Sequence, residues 1–207
     1  MRKLAGLYEE NAYICWVEGS SSALIVDPGD GASMLLEQLR QRELTLTHIL
    51  ITHGHFDHIM AVSELLEKTN AKVWVHERDE GMLFDPYPLK LPMDIRARFE
   101  PVRLPQERKV AGRCLLFPGE DGMRIEMIET PGHTPGGVCF YLPDERTMFT
   151  GDTLFSDGYG RTDFATSRVA DMRASLIKLF AMDEGIMIHP GHGEEDTIGA
   201  VKRRFRI

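Results

Sequence analysis

The densest group of residues with metal-ligand chemistry lies between Thr52 and His58, which reads Thr-His-Gly-His-Phe-Asp-His. Side chains at this spacing cannot all share one face of a helix or a strand, so a tight loop must carry them. Gly54 lets such a loop pack closely. Imidazole and carboxylate together favour zinc or non-haem iron over calcium or magnesium. The candidate ligands in this loop are His53, His55, Asp57 and His58.

Three later segments each add one metal-capable side chain after an apolar strand pattern. They are His133 in Thr-Pro-Gly-His, Asp152 in Thr-Gly-Asp, and His192 in Gly-His-Gly. Each segment alone is a weak signal, but open α/β sheets build their sites at the ends of strands. Asp27, in Val-Asp-Pro-Gly, either accepts hydrogen bonds that support the ligand loop or forms a plain Asx turn.

Apolar periodicity predicts the elements that position these residues. In the first half it predicts two short strands within Val17–Asp27 around a turn, helices at Ser33–Arg42 and Ile59–Asn70, and strands at Thr47–Ile51 and Lys72–Val75. In the second half it predicts strands at Arg124–Glu129, Val138–Leu142, Thr147–Thr150 and Gly185–His189, and helices at Arg168–Met182 and Glu194–Arg203. Ser167 is expected to cap the first of these two helices. This alternation predicts an α/β fold with loops gathered at one end of the sheet.

A proline-rich segment separates the two halves. Met82–Pro118 contains six of the eleven prolines together with many apolar residues. A long segment of this kind inside a folded domain is typical of a lid over a site or of a surface loop that covers the core.

Composition excludes several classes of protein. The chain has 207 residues, of which 43% are hydrophobic and 27% charged, which is typical of a globular protein rather than a disordered one or a coiled coil. A net charge of −8 argues against nucleic acid as the main partner. No apolar run is long enough to cross a bilayer, and Met1–Leu7 has no apolar signal region, so we expect a cytoplasmic location with no membrane partner. Three widely spaced cysteines fit neither a disulfide framework nor a thiolate zinc site.

The complete motif set resembles the signature of the metallo-β-lactamase fold superfamily over essentially the whole chain. This resemblance implies a four-layer α/β/β/α sandwich, with residues 1–207 forming a single catalytic domain that binds two zinc ions. It also implies that Asp57 and Asp152 are catalytic. By the same resemblance, one metal is held by His53, His55 and His133, the other by Asp57, His58 and His192, and Asp152 bridges both.

Two further stretches indicate which family within this superfamily the chain resembles. Gly151–Phe155 followed by Gly160–Phe164 is similar to glyoxalase II (hydroxyacylglutathione hydrolase), especially its short bacterial forms. This implies cleavage of a thioester such as S-2-hydroxyacylglutathione by a metal-bridging hydroxide. Arg161 is then the candidate for binding an anionic group of this small-molecule substrate, and Tyr159 the candidate for lining the pocket.

Three alternatives stay open. Gly-Arg-Thr-Asp-Phe is also similar to the persulfide dioxygenases, which use a single iron, so iron or mixed metals are possible. The chain could hydrolyse another ester or a lactone, or it could be a non-catalytic binding scaffold. Of the remaining histidines, His48 and His76 are expected to be structural, with lining of the site mouth as the alternative for His76. His189 is expected to lie in the core or to support a ligand. Neutral imidazoles are required for metal binding, so activity should fall as the pH drops through the histidine range.

Overall fold

Two six-stranded β-sheets organise the described part of the chain. The structure is a computed structural model, and it describes residues 2–5, 9–85, 93, 99–102, 108–109, 115–116 and 123–206. The chain divides into two units, Met1–Val110 and Ala111–Ile207, and each unit contains one of the sheets. The expectation of one catalytic domain over residues 1–207 stays a prediction.

The first sheet follows chain order across its width. Strands β1 to β3 pair antiparallel, and β3 to β6 pair parallel, so the strands on either side of β4 run in its own direction. The six strands are β1 (Arg2–Ala5), β2 (Asn11–Trp16), β3 (Ser22–Val26), β4 (Thr45–Leu50), β5 (Lys72–Trp74) and β6 (Arg108–Lys109).

Two helices cover one face of this sheet. They are α1 (Ala32–Arg40) and α2 (Val62–Lys68), and a third short helix, α3 (Glu77–Glu80), follows β5. Leu35 of α1 and Leu65 of α2 are fully buried against alternate strand residues such as Ile25 and Ile49. Full burial of one such side chain stabilises the fold by roughly 1.5–3 kcal/mol. This core therefore holds the strand ends, and the loops that follow them, in fixed positions.

The second sheet also follows chain order, in the sequence β12-β11-β10-β9-β8-β7. Among the described strands of this sheet, only β10 and β11 pair parallel. The strands are β7 (Leu115–Leu116), β8 (Arg124–Glu129), β9 (Val138–Leu142), β10 (Thr147–Gly151), β11 (Met187–Pro190) and β12 (Asp196–Thr197). Helices α4 (Val169–Phe180) and α5 (Ile198–Phe205) pack on it through Leu179, Phe180 and Val201.

Most predicted elements are present, with shifted ends. The strands predicted at Arg124–Glu129 and Val138–Leu142 have the predicted bounds. The strand expected to start at Val17 is wrong in position, because β2 ends at Trp16 and Val17 belongs to the turn. The helix predicted at Ile59–Asn70 starts only at Val62, because a single 3-10 turn at Phe56–His58 precedes it.

The predicted role of Ser167 as a helix cap is wrong. Helix α4 starts at Val169, and no side chain caps its first turn. The Ser167 hydroxyl donates instead to the carbonyl of His133 at 2.6 Å. Ser167 therefore supports the His133 loop rather than the helix. In α5, by contrast, the Thr197 hydroxyl accepts from Ala200 N–H, as an N-cap residue does.

The proline-rich segment contributes some of its described residues to the core, whereas Phe84 and Met93 are exposed. Leu83, in a 3-10 turn at Gly81–Leu83, and Val102 are both fully buried in the core of the first unit. The Val102 N–H donates to the Leu83 carbonyl at 2.9 Å. The short strands β6 and β7 also fall in this segment, which the sequence patterns did not predict. The rest of Met82–Pro118 lies outside the described residues, so a lid there stays a prediction.

No helix among the described residues combines the length and the apolar character needed to cross a membrane.

Candidate metal-ligating residues

The Thr52–His58 loop follows the end of β4, as predicted. His53 and His55 flank Gly54, and Phe56–His58 form the single 3-10 turn. The three imidazoles are buried, with His58 0% exposed, and neighbouring rings lie 4.2–4.7 Å apart between centroids. Burying three polar rings together is costly unless their nitrogens bind partners. The structure thus brings His53, His55 and His58 into one cluster at the end of β4.

The carboxylate of Asp27 orients this cluster. Asp27 directly follows β3, the strand that pairs parallel with β4. Its Oδ1 accepts from the Thr52 N–H at 2.7 Å, and its Oδ2 accepts from the Thr52 hydroxyl at 2.6 Å. The same Oδ2 lies 3.1 Å from Nδ1 of His58. Of the two roles considered for Asp27, support of the ligand loop is therefore confirmed.

These contacts determine the tautomers of two histidines. An ionised carboxylate only accepts, so in the neutral ring of His58 it is Nδ1 that carries the proton and Nε2 that carries the lone pair. The single Thr52 hydroxyl proton goes to Asp27, so the Thr52 oxygen, 3.1 Å from Nδ1 of His53, acts as an acceptor there. Both imidazoles therefore present Nε2 as the ligand atom, which is the usual arrangement in metal sites.

Ligand-type atoms of Asp27, His53 and His58 lie within 4.8 Å of one another, the spacing of a possible metal site. We do not assign a metal to this trio, because both Asp27 oxygens already accept hydrogen bonds and its contact with His58 uses Nδ1 rather than Nε2. Asp27 is better described as the residue that orients the ligands.

Close backbone packing surrounds the turn that carries Asp57 and His58. Oδ2 of Asp57 lies 3.9 Å from Nε2 of His58, so the two groups present donor atoms on the same side. The backbone of Gly29 passes over this turn so closely that a Cβ there would meet the Asp57 carbonyl oxygen at 1.7 Å. Only glycine fits, which explains the Asp-Pro-Gly sequence that follows β3.

In the second unit, His133 is oriented by a backbone carbonyl. Its Nδ1 lies 2.7 Å from the carbonyl oxygen of Arg161, which only accepts, so Nδ1 is protonated. Its Nε2 lies 3.3 Å from Oδ2 of Asp152. His133 thus presents Nε2 in the same way as His53 and His58.

The two oxygens of Asp152 face two different histidines. Oδ2 approaches Nε2 of His133, and Oδ1 lies 3.8 Å from Nε2 of His192. Asp152 follows Gly151 at the end of β10, and His192 follows the end of β11, the parallel neighbour of β10. Each oxygen of the Asp152 carboxylate therefore faces a separate imidazole.

The donors suit a transition metal or zinc. All seven predicted ligands offer imidazole nitrogen or carboxylate oxygen, and in three of the imidazoles the Nδ1 partner leaves Nε2 to bind. Such a set favours zinc or non-haem iron over calcium and magnesium, which prefer all-oxygen sites.

Comparison with known proteins decides the family. The model of the metallo-β-lactamase superfamily matches residues 6–192. The chain belongs to this superfamily. Hydroxyacylglutathione hydrolase GloC of Haemophilus influenzae is 33% identical over 202 residues, covering 95% of this chain and 91% of the relative. Family and relative together establish a metal-dependent hydrolase, and the resemblance found in the sequence is confirmed.

Solved structures of the superfamily confirm the fold class. BLEG-1, described as a B3 metallo-β-lactamase, matches with a TM-score of 0.85 and 30% identity over 98% of this chain and 96% of its own. TTHA1623 in a di-iron-bound form matches at 0.83 and 29% identity over 99% and 98%. ETHE1 from Myxococcus xanthus matches at 0.75 and 27% identity over 98% and 81%. The metallo-β-lactamase fold is thus shown.

The structure places the predicted substrate-binding residue Arg161 at the surface. Its guanidinium forms a two-bond ion pair with Asp163, at 2.7 and 2.9 Å, and lies 4.7 Å from the ring centroid of Phe164. Hydrogen bonding to Asp163 raises the pKa of Arg161 further and lowers the pKa of Asp163. Tyr159 is also exposed, with its ring centroid 6.5 Å from that of Phe205. Binding of substrate by Arg161 and Tyr159 stays a prediction.

The other histidines contact structural elements. His48 lies in β4 with its ring edge against Trp74. His76 caps α3, since its Nδ1 accepts from the Arg78 N–H. His189 is buried beside Phe149, and its Nδ1 lies 3.1 Å from Oε1 of Glu195. These contacts agree with the structural roles expected for His48 and His76, and they place His189 in the core.

Sequence patterns did not single out three residues that support the ligands. Thr52 links Asp27 to His53, Gly160 makes room beside His133, and Asp79 accepts from the Gly54 N–H at 3.0 Å. Asp79 lies in a charged run that is typical of solvent-exposed sequence, yet it is 0% exposed. Val75, Asp79 and Met82 follow the i, i+4, i+7 spacing of one helix face. Because Val75 and Met82 are apolar, this spacing could have indicated that Asp79 is buried.

Proposed function

We propose that this metal-dependent hydrolase is a dinuclear zinc enzyme that cleaves a thioester such as S-2-hydroxyacylglutathione. The observation that carries the proposal is the Asp152 carboxylate, whose two oxygens approach Nε2 of two different histidines. The 33% identity to hydroxyacylglutathione hydrolase GloC, over nearly the full length of both chains, supports the substrate class.

In this proposal the seven side chains divide into two sets with one shared member. His53, His55 and His133 hold one zinc, Asp57, His58 and His192 hold the other, and Asp152 binds both. When bound, such a metal pair supplies an activated water nucleophile and stabilises the negative charge that develops on the carbonyl oxygen.

The chain's own residues keep the imidazoles in the required protonation state. Asp27 and the Arg161 carbonyl accept from Nδ1 of His58 and His133, which keeps each Nε2 free of a proton in the neutral ring. A thiolate leaving group needs little protonation because a thiol has a pKa of about 8.5. The proposed reaction therefore requires no strong general acid.

Arg161 supplies the contact proposed for an anionic substrate group. Asp163 uses only Nε and one terminal nitrogen of the guanidinium, which has five N–H donors in all. The remaining donors of Arg161 can bind a carboxylate. An Arg161→Gln variant should raise KM for a glutathione thioester and leave kcat nearly unchanged. Arg173→Gln, an exposed arginine on α4, is the matched control and should change neither constant.

Metal analysis combined with a substrate panel tests the proposal. Purified protein should contain two zinc ions per chain and turn over acyl-glutathione thioesters faster than lactones, simple esters and β-lactams. Asp152→Ala should retain less metal and lose turnover. Preference for a lactone or a β-lactam, or full activity in Asp57→Ala and His133→Ala, would contradict the proposal.

A single-iron persulfide dioxygenase is the second candidate. It is favoured by Gly160–Phe164, which resembles the corresponding element of that family. The di-iron-bound form of TTHA1623, which is 29% identical to this chain, supports iron as the metal but holds two ions rather than one. One iron per chain with oxygen consumption on glutathione persulfide would establish it. Two zinc ions and thioester turnover without oxygen consumption would exclude it.

A further inference from the structure

The loop that carries His53 and His55 contacts a buried carboxylate, Asp79. This residue belongs to neither of the predicted ligand sets. Asp79 lies in α3 and is 0% exposed. Its Oδ2 accepts from the backbone N–H of Gly54 at 3.0 Å, midway between the two histidines. Burying a carboxylate destabilises a protein unless strong hydrogen-bond donors surround it. The position of Asp79 beside this loop therefore suggests a role in supporting it.

The packing around Gly54 shows how closely α3 meets the loop. A Cβ on Gly54 would lie 2.7 Å from Cβ of Met82 and 2.9 Å from the carbonyl oxygen of Asp79. The backbone of the ligand loop therefore rests directly on α3 and on the 3-10 turn that follows it. A shift of Asp79 would therefore move His53 and His55, which lie on either side of Gly54.

Asp79 and Asp27 hold the loop from opposite sides. Asp27 follows β3 and binds the Thr52 N–H, whereas Asp79 lies beyond β5 and binds the Gly54 N–H. Strands β3 and β5 are the two parallel neighbours of β4, which leads into the loop. Two buried carboxylates thus fix alternate backbone amides on either side of His53.

We propose that Asp79 is a positioning residue for metal binding, which holds His53 and His55 in their binding geometry through the Gly54 amide. This inference rests on the proposed function, since it assumes that these histidines bind the metal. Outer hydrogen-bond partners of metal ligands typically contribute 10- to 100-fold to metal affinity. We expect an effect of about that size for Asp79.

Zinc affinity of the metal-free protein tests the proposal, measured by competition with a chromophoric chelator. Asp79→Leu keeps the branched shape without an acceptor and should weaken zinc binding by about 10- to 100-fold. Asp79→Asn keeps an oxygen acceptor for the Gly54 N–H and should recover most of that loss. Glu77→Ala, an exposed residue of the same helix, should change the affinity by about twofold or less. Absorption of the Co²⁺-loaded proteins reports the ligand geometry independently of activity.

The outcomes distinguish failure of the positioning role of Asp79 from failure of the proposed function. If the wild type binds no zinc, the proposed function fails. If the wild type binds zinc and Asp79→Leu binds it equally well, or if Asp79→Asn is as weak as Asp79→Leu, the positioning role is refuted. Should Asp79→Leu fail to fold, Gly54→Ala decides, because its Cβ must push the loop away from α3. Unchanged zinc affinity and an unchanged Co²⁺ spectrum in that variant would overturn the proposal.

Discussion

Replacing Asp27 with asparagine tests how the imidazoles are oriented. The carboxylate accepts three hydrogen bonds, two from Thr52 and one from Nδ1 of His58, and it is 2% exposed. An asparagine side chain has only one oxygen, so its NH₂ group must face at least one of these donors. If it faces His58, the Nδ1 proton loses its acceptor, and the ring is driven towards the tautomer whose Nε2 carries the proton.

The expected loss follows from these contacts. A proton on Nε2 blocks the proposed ligand atom, so we expect zinc affinity to fall by about 10- to 100-fold, which corresponds to about 1.4–2.7 kcal/mol. The unsatisfied buried donor should also destabilise the metal-free protein by about 1–3 kcal/mol. Thr52→Val removes the hydroxyl that donates to Asp27 and contacts Nδ1 of His53, but it keeps the contact between Asp27 and His58. It should therefore weaken zinc binding less than Asp27→Asn does.

Chelator competition gives the zinc affinity, and thermal unfolding of the metal-free protein gives the change in stability. Asp30→Asn is the matched control, because an amide oxygen can still accept from the Gly31 N–H that Asp30 Oδ1 binds at 2.7 Å. It should leave both measurements nearly unchanged. A folded Asp27→Asn protein with both wild-type zinc affinity and wild-type stability would refute this arrangement, since either orientation of the amide leaves a buried donor without its acceptor.

Two further predictions concern a glycine and a buried thiol. Gly160→Ala should destabilise the protein by about 1–3 kcal/mol, since its Cβ would meet the Asp152 carbonyl at 2.0 Å. Gly158→Ala is the control and should melt at the wild-type temperature, because a Cβ there has no atom within 4 Å. Equal melting temperatures of the two variants would contradict the prediction. Burial raises the pKa of the Cys15 thiol from 9.0 to about 12. Cys15 should therefore resist alkylation at pH 8 until the protein is denatured, as peptide mass spectrometry can show. Because the unfolded thiol ionises first, stability should fall as the pH rises from about 9 to 12, and less so in Cys15→Ala. Rapid alkylation of native Cys15 would exclude the buried, protonated state.

The ligand types and the main strands could be predicted because both depend on local sequence. Apolar runs such as Val138–Leu142 give strands with the predicted bounds, and the polar residues directly after them lie at the strand ends. The short strands β6 and β7 could not be predicted, because each has only two residues and forms by pairing with a strand whose own pattern is stronger. Helix ends were also inaccurate, since tertiary contacts such as the bond from Ser167 to the His133 carbonyl compete with capping.

Orientation of the ligands was harder to predict than their identity. His58 is oriented by a carboxylate 31 residues away, and His133 by a backbone carbonyl 28 residues away. A carbonyl exists at every position, so no side chain marks Arg161 as the partner of His133. The sequence made Arg161 a candidate because of its charged side chain, whereas the contact to His133 is made by its main-chain carbonyl. Substitution of the Arg161 side chain should therefore affect binding of an anionic substrate while leaving the orientation of His133, and with it metal affinity, intact.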